Sequence, residues 1–383
     1  MALHFSREEF AGRQARVTAK LADAGLDGLL MFRQESMYYL TGYDTFGYVF
    51  FQCLYLGADG AMTLLTRSPD LRQARHTSII DDIRIWVDRD GANPAVELRA
   101  VLDGRGCKGK RLGVELEAYG LTGRNWGRVA VALDGFCTLE DASEIVSRLR
   151  VVKSPAELAF ARRAAELADD ALDEANRLAV PGAFEGDILA AMQGAIFKGG
   201  GDYPANEFII GSGHDALLCR YFSGRRRLEA EDQFMLEFAG AYRHYHAALM
   251  RTIITGKASE RQREMHAICC DALAACRDAL TPGRPIGEVF DAYARTCDAA
   301  GCQEHRLNAC GYSMGATFSP NWMDWPMFYT GNPVVAEADM VFFLHPLLMD
   351  SDRGLGMAVG ETVRVTQSGC ERLSRAPLDL VIN

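Results

Sequence analysis

The sequence lacks the features that would assign it to a nucleic-acid-binding or membrane protein. It has no basic excess, because 41 Lys and Arg stand against 51 Asp and Glu and the net charge is −10. A protein with this charge is a poor partner for nucleic acid or for an anionic membrane surface. No uninterrupted apolar run reaches about eighteen residues, the length that a membrane-spanning helix needs. We therefore expect an ordinary soluble globular protein that binds neither nucleic acid nor a membrane.

The cysteine pattern and the first residues indicate a compartment. There are 11 cysteines, an odd number, and no pair has the Cys-x-x-Cys spacing. Cys269, Cys270 and Cys276 fall within a helical pattern, which is typical of reduced, buried thiols. The opening MALHFSREEF has no basic segment followed by an apolar run, so we do not expect a signal peptide. Together these features predict a cytoplasmic protein.

The chain is long enough for two domains, and its first part has an α/β pattern. At 383 residues it exceeds one comfortable hydrophobic core. In residues 1–150, a helical pattern ends at Gly25 and a hairpin is broken at Gly57–Gly60. The segments DIRIWVD and KRLGVEL are typical of short strands. This alternation predicts an α/β lobe with a mixed sheet.

A strong helix start opens the second part, residues 151–383. Ser154 is the expected N-cap, Pro155 takes the first helical position, and Glu157 completes a capping box.

The second part also contains a near-repeat. A helix, a Pro-Gly break, a second helix and a glycine stop recur around Pro181 and Pro282, and strands follow each copy. The repeat favours an α+β domain of two related halves about a pseudo-two-fold axis. Chance is the alternative, because helix–Pro-Gly–helix segments are common.

One acidic residue stands out in the segment MLEFAGAYRHYHAALMRT. The pattern predicts a hairpin with its turn at Ala239-Gly240, and Glu237 lies at the end of the first, apolar strand. A carboxylate in apolar surroundings needs a partner or a raised pKa. The functional interpretation is a catalytic carboxylate, and the structural one is a salt bridge with Arg243 or Arg251.

Two histidines lie on the second strand of this predicted hairpin. Strand alternation places His246 on the same face as Ala248, two residues later. If that face lines a pocket, His246 lies in it and His244 lies at its rim. The alternative for each is a hydrogen-bonded structural histidine.

Five ordered motifs in the second part resemble the pita-bread family, which contains methionine aminopeptidase, aminopeptidase P, prolidase and creatinase. The resemblance implies a pita-bread domain over residues 151–383 and a creatinase/prolidase N-terminal domain over residues 1–150. The N-terminal domain has YYLTGYDTFGY in the corresponding place. The five motifs are GSGHDALLCRY, LEFAGAYRHYHAALMRT, NACGYSMGATF, DMVFFLHP and GETVRVTQSG.

Metallopeptidases of this family bind two divalent metals through two Asp, one His and two Glu. The resemblance places these ligands, in order, on Glu237, Ala248, Tyr312, His345 and Gly360. A dinuclear site needs several deprotonated oxygen donors. Alanine and glycine supply none from a side chain, and a phenol with a pKa near 10 is a poor ligand. We therefore expect neither a metal nor another cofactor.

The resemblance is nearer to creatinase and ectoine hydrolase, the metal-free branch, which cleave C–N bonds in small polar solutes. It implies a metal-independent hydrolase of an amide- or amidine-type C–N bond in a small polar or zwitterionic solute. Glu237 would act as nucleophile or general base, and His246 and His345 would carry protons. Tyr312 would donate a hydrogen bond to an oxyanion. The family's histidine before a tyrosine falls on Arg220, where this sequence departs from the pattern.

Charged, polar and aromatic residues near the implied pocket are candidates for substrate binding. Arg220 can hold a carboxylate through two hydrogen bonds. Asp202 and Tyr203 are expected to begin a strand at the mouth of the pocket. An aromatic loop can enclose a quaternary ammonium group by cation–π attraction, or it can pack as an ordinary loop. The full set is Arg220, His244, Asp202, Tyr203, Trp322, Trp325 and Glu361.

Two other functions remain open at this stage. The first is a metallopeptidase of the prolidase or aminopeptidase P type with atypical ligands. The second is a catalytically inactive pita-bread module that binds peptides.

We predict a homodimer in which YYLTGYDTFGY of one chain lies near the pocket of the other. The family resemblance implies this arrangement, and a lone lobe would leave an aromatic, apolar segment exposed. Light scattering at micromolar concentration should give the mass of two chains, and the mass of one chain would contradict the prediction.

Overall fold

The computed structural model describes residues 3–220 and 224–383 and contains two compact units, Met1–Arg150 and Val151–Asn383. The helices of the first unit are α1 (Arg7–Asp23), α2 (Gln34–Thr41), α3 (Leu71–Thr77), α4 (Pro94–Gly104), α5 (Gly123–Leu133) and α6 (Glu144–Arg150). Its strands are β1 (Gly28–Met31), β2 (Cys53–Gly57), β3 (Met62–Arg67), β4 (Ile83–Trp86), β5 (Arg111–Val114) and β6 (Thr138–Asp141).

The first unit is an α/β lobe around one mixed sheet, as the sequence pattern predicts. The strand order is β4-β3-β2-β1-β5-β6. Strand β1 is antiparallel to β2 and parallel to β5, so the sheet is mixed. Helix α1 begins after Ser6, whose hydroxyl accepts a hydrogen bond from the N–H of Glu9, and the chain turns at Gly25 with φ of 65°.

The described residues of the second unit form four α-helices and a large sheet. The helices are α7 (Pro155–Leu178), α8 (Glu185–Lys198), α9 (Glu260–Ala279) and α10 (Gly287–Ala299). The strands are β7 (Ile209–Ser212), β8 (Asp232–Tyr242), β9 (Tyr245–Thr255), β10 (Gly311–Ser313), β11 (Asp324–Met327), β12 (Val341–Leu344), β13 (Leu347–Asp350), β14 (Leu355–Val365), β15 (Cys370–Arg372) and β16 (Val381–Ile382). Helix α7 has the capping box that the sequence predicts, with Ser154 and Glu157 as its two partners.

The second unit has the pseudo-two-fold organisation that the near-repeat predicts. Its main sheet has the order β11-β10-β12-β14-β9-β8-β7. The antiparallel pair of β14 and β9 lies at the centre. Strands β12 and β10 follow on one side and β8 and β7 on the other, and β11 lies at the edge beyond β10. Helix α7 packs against α8 in the first half, and α9 packs against α10 in the second.

The turn of the long hairpin lies at Arg243-His244, so the prediction of a turn at Ala239-Gly240 is wrong. Both turn residues have positive φ, 52° and 64°, and β8 continues through Ala239 and Gly240 to Tyr242. Gly240 is required for another reason. A Cβ there would overlap the carbonyl oxygen of Ala164 in α7 and lie 2.7 Å from the Ala168 nitrogen. A helix lies directly on this face of the strand.

Among the described residues, no helix combines the length and the apolar character that a membrane crossing requires.

Replacing Gly240 with alanine should destabilise the protein, because the added methyl group would enter the backbone of α7. We expect the free energy of unfolding to fall by about 1–3 kcal/mol or more, the usual cost of overpacking. The matched control is Gly194→Ala in α8, where an added Cβ meets nothing within 4 Å. This control should gain about 0.5–1 kcal/mol from helix propensity. Denaturant unfolding measures both, and a Gly240→Ala variant as stable as wild type would contradict the close contact.

Candidate active site

The candidate active site surrounds Glu237, on the face of the main sheet opposite to α7. Glu237 is paired with Met250, which is paired with Gly360 in β14. Directly opposed residues in antiparallel strands point to the same side, and neighbours along a strand alternate. Gly240 lies three residues after Glu237 in β8 and faces α7. Strand alternation therefore makes Glu237 face away from that helix.

The same register brings residues from the second half to this face. Gly360 lies two residues from Thr362, which is opposite Phe343, and Phe343 is opposite Tyr312. His345 follows β12, and its ring centroid lies 5.1 Å from that of Phe343 and 5.4 Å from that of Tyr312. The face therefore joins residues far apart in sequence.

Glu237, Tyr312 and Trp322 form a hydrogen-bonded chain. The indole Nε1–H of Trp322 donates to the Tyr312 hydroxyl oxygen at 2.9 Å. The Tyr312 O–H donates to Oε1 of Glu237 at 3.1 Å. No salt bridge with Arg251 forms, because that guanidinium donates to the carbonyl oxygens of Met250 and Gly360. The partner of the carboxylate is thus a phenol.

Burial changes the protonation of the three titratable groups in this cluster. It raises the pKa of Glu237 to about 7, although the Tyr312 hydrogen bond and the charge of Arg220 act in the opposite direction. Burial, helped by Arg220, lowers the pKa of His345 to about 4. It also raises the pKa of Tyr312 well above its usual value. Near pH 7, Glu237 is the group able to gain and lose a proton, while the imidazole is neutral and the phenol keeps its proton.

Arg220 lies at the exposed edge of the cluster. Its side chain is exposed, and its charge acts on Glu237, Tyr312 and His345 alike. Its role in substrate binding stays a prediction. The motif GSGHDALLCRY ends at Tyr221, which lies outside the described residues.

His246 shares the face of Glu237 but does not join its cluster. It is paired with Ala241, four residues along β8 from Glu237. Nε2 accepts the N–H of Ala205 at 2.9 Å, so Nδ1 carries the proton and donates to the Thr317 hydroxyl at 3.1 Å. Burial lowers its pKa to about 3. Both nitrogens are occupied by structural bonds, which does not fit the expected proton carrier.

His244, Asp202 and Tyr203 differ in position from their predictions. His244 lies in the turn, not on the strand, and its ring stacks on Phe318 at 4.2 Å. Asp202 and Tyr203 do not begin a strand, because β7 starts at Ile209. The Asp202 carboxylate accepts the N–H of His244 at 3.3 Å, which supports the tight turn. Tyr203 is 81% exposed.

Glu361 points away from the candidate active site. Since Gly360 faces the site, alternation turns Glu361 to the other face. There it is fully buried and ion-paired with Arg277 at 3.0 Å and Arg372 at 2.6 Å, so it does not fit a substrate-binding role.

The two tryptophans belong to different hydrophobic clusters. Trp322 packs with Tyr312 and Phe343, whereas Trp325 packs with the cluster of α9 and α10. Trp322 is only 1% exposed. The expected aromatic cage is therefore not formed by this pair.

The residues at the five positions aligned with family metal ligands do not fit a two-metal centre. Only Glu237 and His345 carry good donors there. A side chain at Gly360 would start 2.9 Å from Cβ of Met250 and 3.0 Å from the Phe343 ring, so the space for an acid is filled. The Thr362 hydroxyl donates to the carbonyl oxygen of Ala248 and accepts its N–H. Within the described residues, no three His, Cys, Asp or Glu are arranged to hold a metal ion.

Comparisons with known families match both parts of the chain. Residues 13–152 match the Creatinase/Prolidase N-terminal domain, and residues 159–367, more than half of the chain, match Metallopeptidase family M24.

Curated relatives cover both non-peptide and peptide hydrolases. The chain is 25% identical over 401 residues to "Ectoine hydrolase" of Halomonas elongata, covering 100% of this chain and 99% of the relative. It is also 25% identical over 238 residues to "Xaa-Pro dipeptidase" of Pyrococcus furiosus, covering 62% and 67%.

Solved structures agree on the fold. The dipeptidase PepE from Mycobacterium ulcerans superposes with a TM-score of 0.85 at 25% identity, covering 99% of both chains. The X-Pro aminopeptidase from Thermotoga maritima has a TM-score of 0.84 at 19% identity and covers 97% of this chain and 99% of its own.

Glu237→Gln should stabilise the protein at alkaline pH. The folded-state pKa of about 7 lies above the value of 4.5 for a free carboxyl. The stabilising contribution of the neutral acid is therefore present below pH 4.5 and is lost as the pH rises through 7. Glutamine stays neutral, so the variant should match wild type near pH 4.5 and exceed it by up to about 3 kcal/mol near pH 8.5.

Denaturant unfolding across this pH range measures the difference. The matched control is Glu304→Gln, which changes an exposed carboxylate and should alter the free energy of unfolding by no more than about 0.5 kcal/mol. A Glu237→Gln variant that is less stable than wild type at all pH values would identify Glu237 as half of a structural ion pair.

Proposed function

This chain belongs to metallopeptidase family M24, and we propose that it is a hydrolase that cleaves a C–N bond in a small polar or zwitterionic solute without a resident metal. The observation that carries the proposal is the composition of the site face. Where two metals would need acids, Ala248 and Gly360 stand, and Glu237 is paired with Tyr312 instead. A carboxyl group whose pKa is about 7 can do proton chemistry that a metal-bound carboxylate cannot.

In the proposed reaction, Glu237 is first a general base and then a general acid. Its carboxylate accepts a proton from a water molecule as the water oxygen bonds to the substrate carbon. The same proton then passes to the leaving nitrogen as the C–N bond breaks, so that one water is consumed and Glu237 is restored. A pKa near the working pH suits both half-steps.

His345 and Arg220 supply the supporting groups. The imidazole of His345 is neutral, since its pKa is about 4, so it can donate one N–H to the developing oxyanion without itself ionising. The guanidinium of Arg220 is exposed at the edge of the cluster and can bind a substrate carboxylate through two hydrogen bonds. This pairing favours a solute that carries both a carboxylate and a C–N group.

The similarity to ectoine hydrolase supports a non-peptide substrate, because it extends over the whole chain. The similarity to an Xaa-Pro dipeptidase favours a second candidate, a peptidase that uses Glu237 and His345 as atypical metal ligands. The two candidates differ in their need for metal.

A screen of compatible solutes, guanidino acids and Xaa-Pro dipeptides, with and without chelator, should find hydrolysis of a solute and no effect of the chelator. The rate constant kcat/KM should rise with pH through about 7, because Glu237 must be ionised to act as the base. Glu237→Gln should lower kcat by roughly 10²–10⁴ with little change in substrate binding.

The exposed variant Glu304→Gln serves as the matched control and should keep full activity. Loss of activity with chelator and its return with manganese or zinc would favour the metallopeptidase. Peptide binding without any turnover, unchanged in Glu237→Ala, would indicate an inactive binding module.

A further inference from the structure

The indole of Trp322 is placed so that its only polar atom meets the Tyr312 hydroxyl. Trp322 lies in the loop between β10 and β11, and it is 1% exposed. Its Nε1–H donates to the Tyr312 oxygen at 2.9 Å. Indole nitrogen can only donate, so the direction of this hydrogen bond is fixed. The cation–π role that the sequence suggests needs an accessible ring face, and this ring is packed in the core.

Trp322 thereby controls where the single proton of Tyr312 points. A phenol has one O–H and can accept hydrogen bonds at the same oxygen. Because the Tyr312 oxygen accepts the Trp322 N–H, its own hydrogen points to the other partner, Oε1 of Glu237, at 3.1 Å. The Tyr312 ring is also held by edge contact with Phe343, at 5.5 Å between ring centroids. Ring and hydroxyl orientation are thus both determined.

We propose that Trp322 is a positioning residue, which holds the Tyr312 proton on Oε1 of Glu237 and so directs proton exchange with the reactant to Oε2. The inference rests on the proposed function, in which Glu237 is the proton carrier. An N–H that donates to a hydroxyl also polarises it and strengthens the bond that the hydroxyl makes in turn. Trp322 therefore affects Glu237 through the Tyr312 hydroxyl.

The first test observes the Tyr312 hydroxyl itself and needs no substrate. Infrared difference spectra between each protein and its Tyr312→Phe derivative isolate one phenol among the 13 tyrosines. In Trp322→Phe, the phenol C–O band should shift towards the position of a phenol that donates but does not accept. An unchanged band would overturn the inference, whatever the activity of the enzyme.

Two further variants separate the hydrogen bond from packing. Site-specific replacement of Trp322 by 3-benzothienylalanine substitutes sulfur for the N–H and keeps the bicyclic shape. It should cause the same band shift as Trp322→Phe, and it serves as the test if Trp322→Phe folds poorly. The matched control is Trp86→Phe in the first unit, which loses a buried indole bond to the Phe51 carbonyl oxygen at 2.9 Å. This control should leave the Tyr312 band unchanged.

The second test is a double-mutant cycle on the reaction. Trp322→Phe should lower kcat roughly three- to tenfold, the usual effect of one hydrogen bond, and leave KM unchanged. In a Tyr312→Phe background the same substitution should have no further effect on kcat. An equal loss in both backgrounds would show that Trp322 acts through packing and would overturn the positioning role. A band shift in a protein that hydrolyses no solute would instead count against the proposed function alone.

Discussion

The antiparallel register of the main sheet is the constraint on which the site depends. Each residue of β8, β9 and β14 must face either the helices or the site, with no intermediate position. Gly240 meets the backbone of α7 and thereby fixes Glu237 on the opposite side. Through the central pairing of Met250 with Gly360, the same choice extends into the second half of the domain. A shift of one residue would exchange the site residues with the core.

Two buried glutamates show how this choice of face determines chemistry. Glu361, on the helix face, is compensated by two guanidinium groups, from Arg277 and Arg372. Glu237, on the site face, has a phenol as its hydrogen-bonded partner, and burial raises its pKa to about 7. A cationic partner favours the charged form of a carboxyl group. A neutral donor leaves the Glu237 carboxyl able to exchange a proton near pH 7, whereas the carboxylate of Glu361 is held by its two guanidinium partners.

The sequence predicts local features well and the contacts across the fold poorly. The capping box at Ser154 is encoded within four residues, so it could be identified directly. The position of the hairpin turn could not be identified, because Ala239-Gly240 has the composition of a turn. Gly240 is a glycine for another reason, since the backbone of α7 packs directly against it. The hydrogen-bond partners of a side chain are likewise contacts across the fold, which the sequence predicts poorly. Strand alternation gives the face of His246, but only folding reveals that Ala205 and Thr317 occupy both of its nitrogens.

The positions that correspond to the family's metal-binding acids have structural roles in this chain. Met250 and the Phe343 ring fill the space beside Gly360, and Thr362 binds the backbone of Ala248. An acid introduced at Gly360 alone would therefore be forced against apolar atoms, where a carboxylate is unstable without a partner. The Tyr312 hydroxyl is likewise engaged on both sides. Because these adjustments support one another, a single acid introduced at Gly360 would provide neither the space nor the set of oxygen donors that a two-metal centre needs.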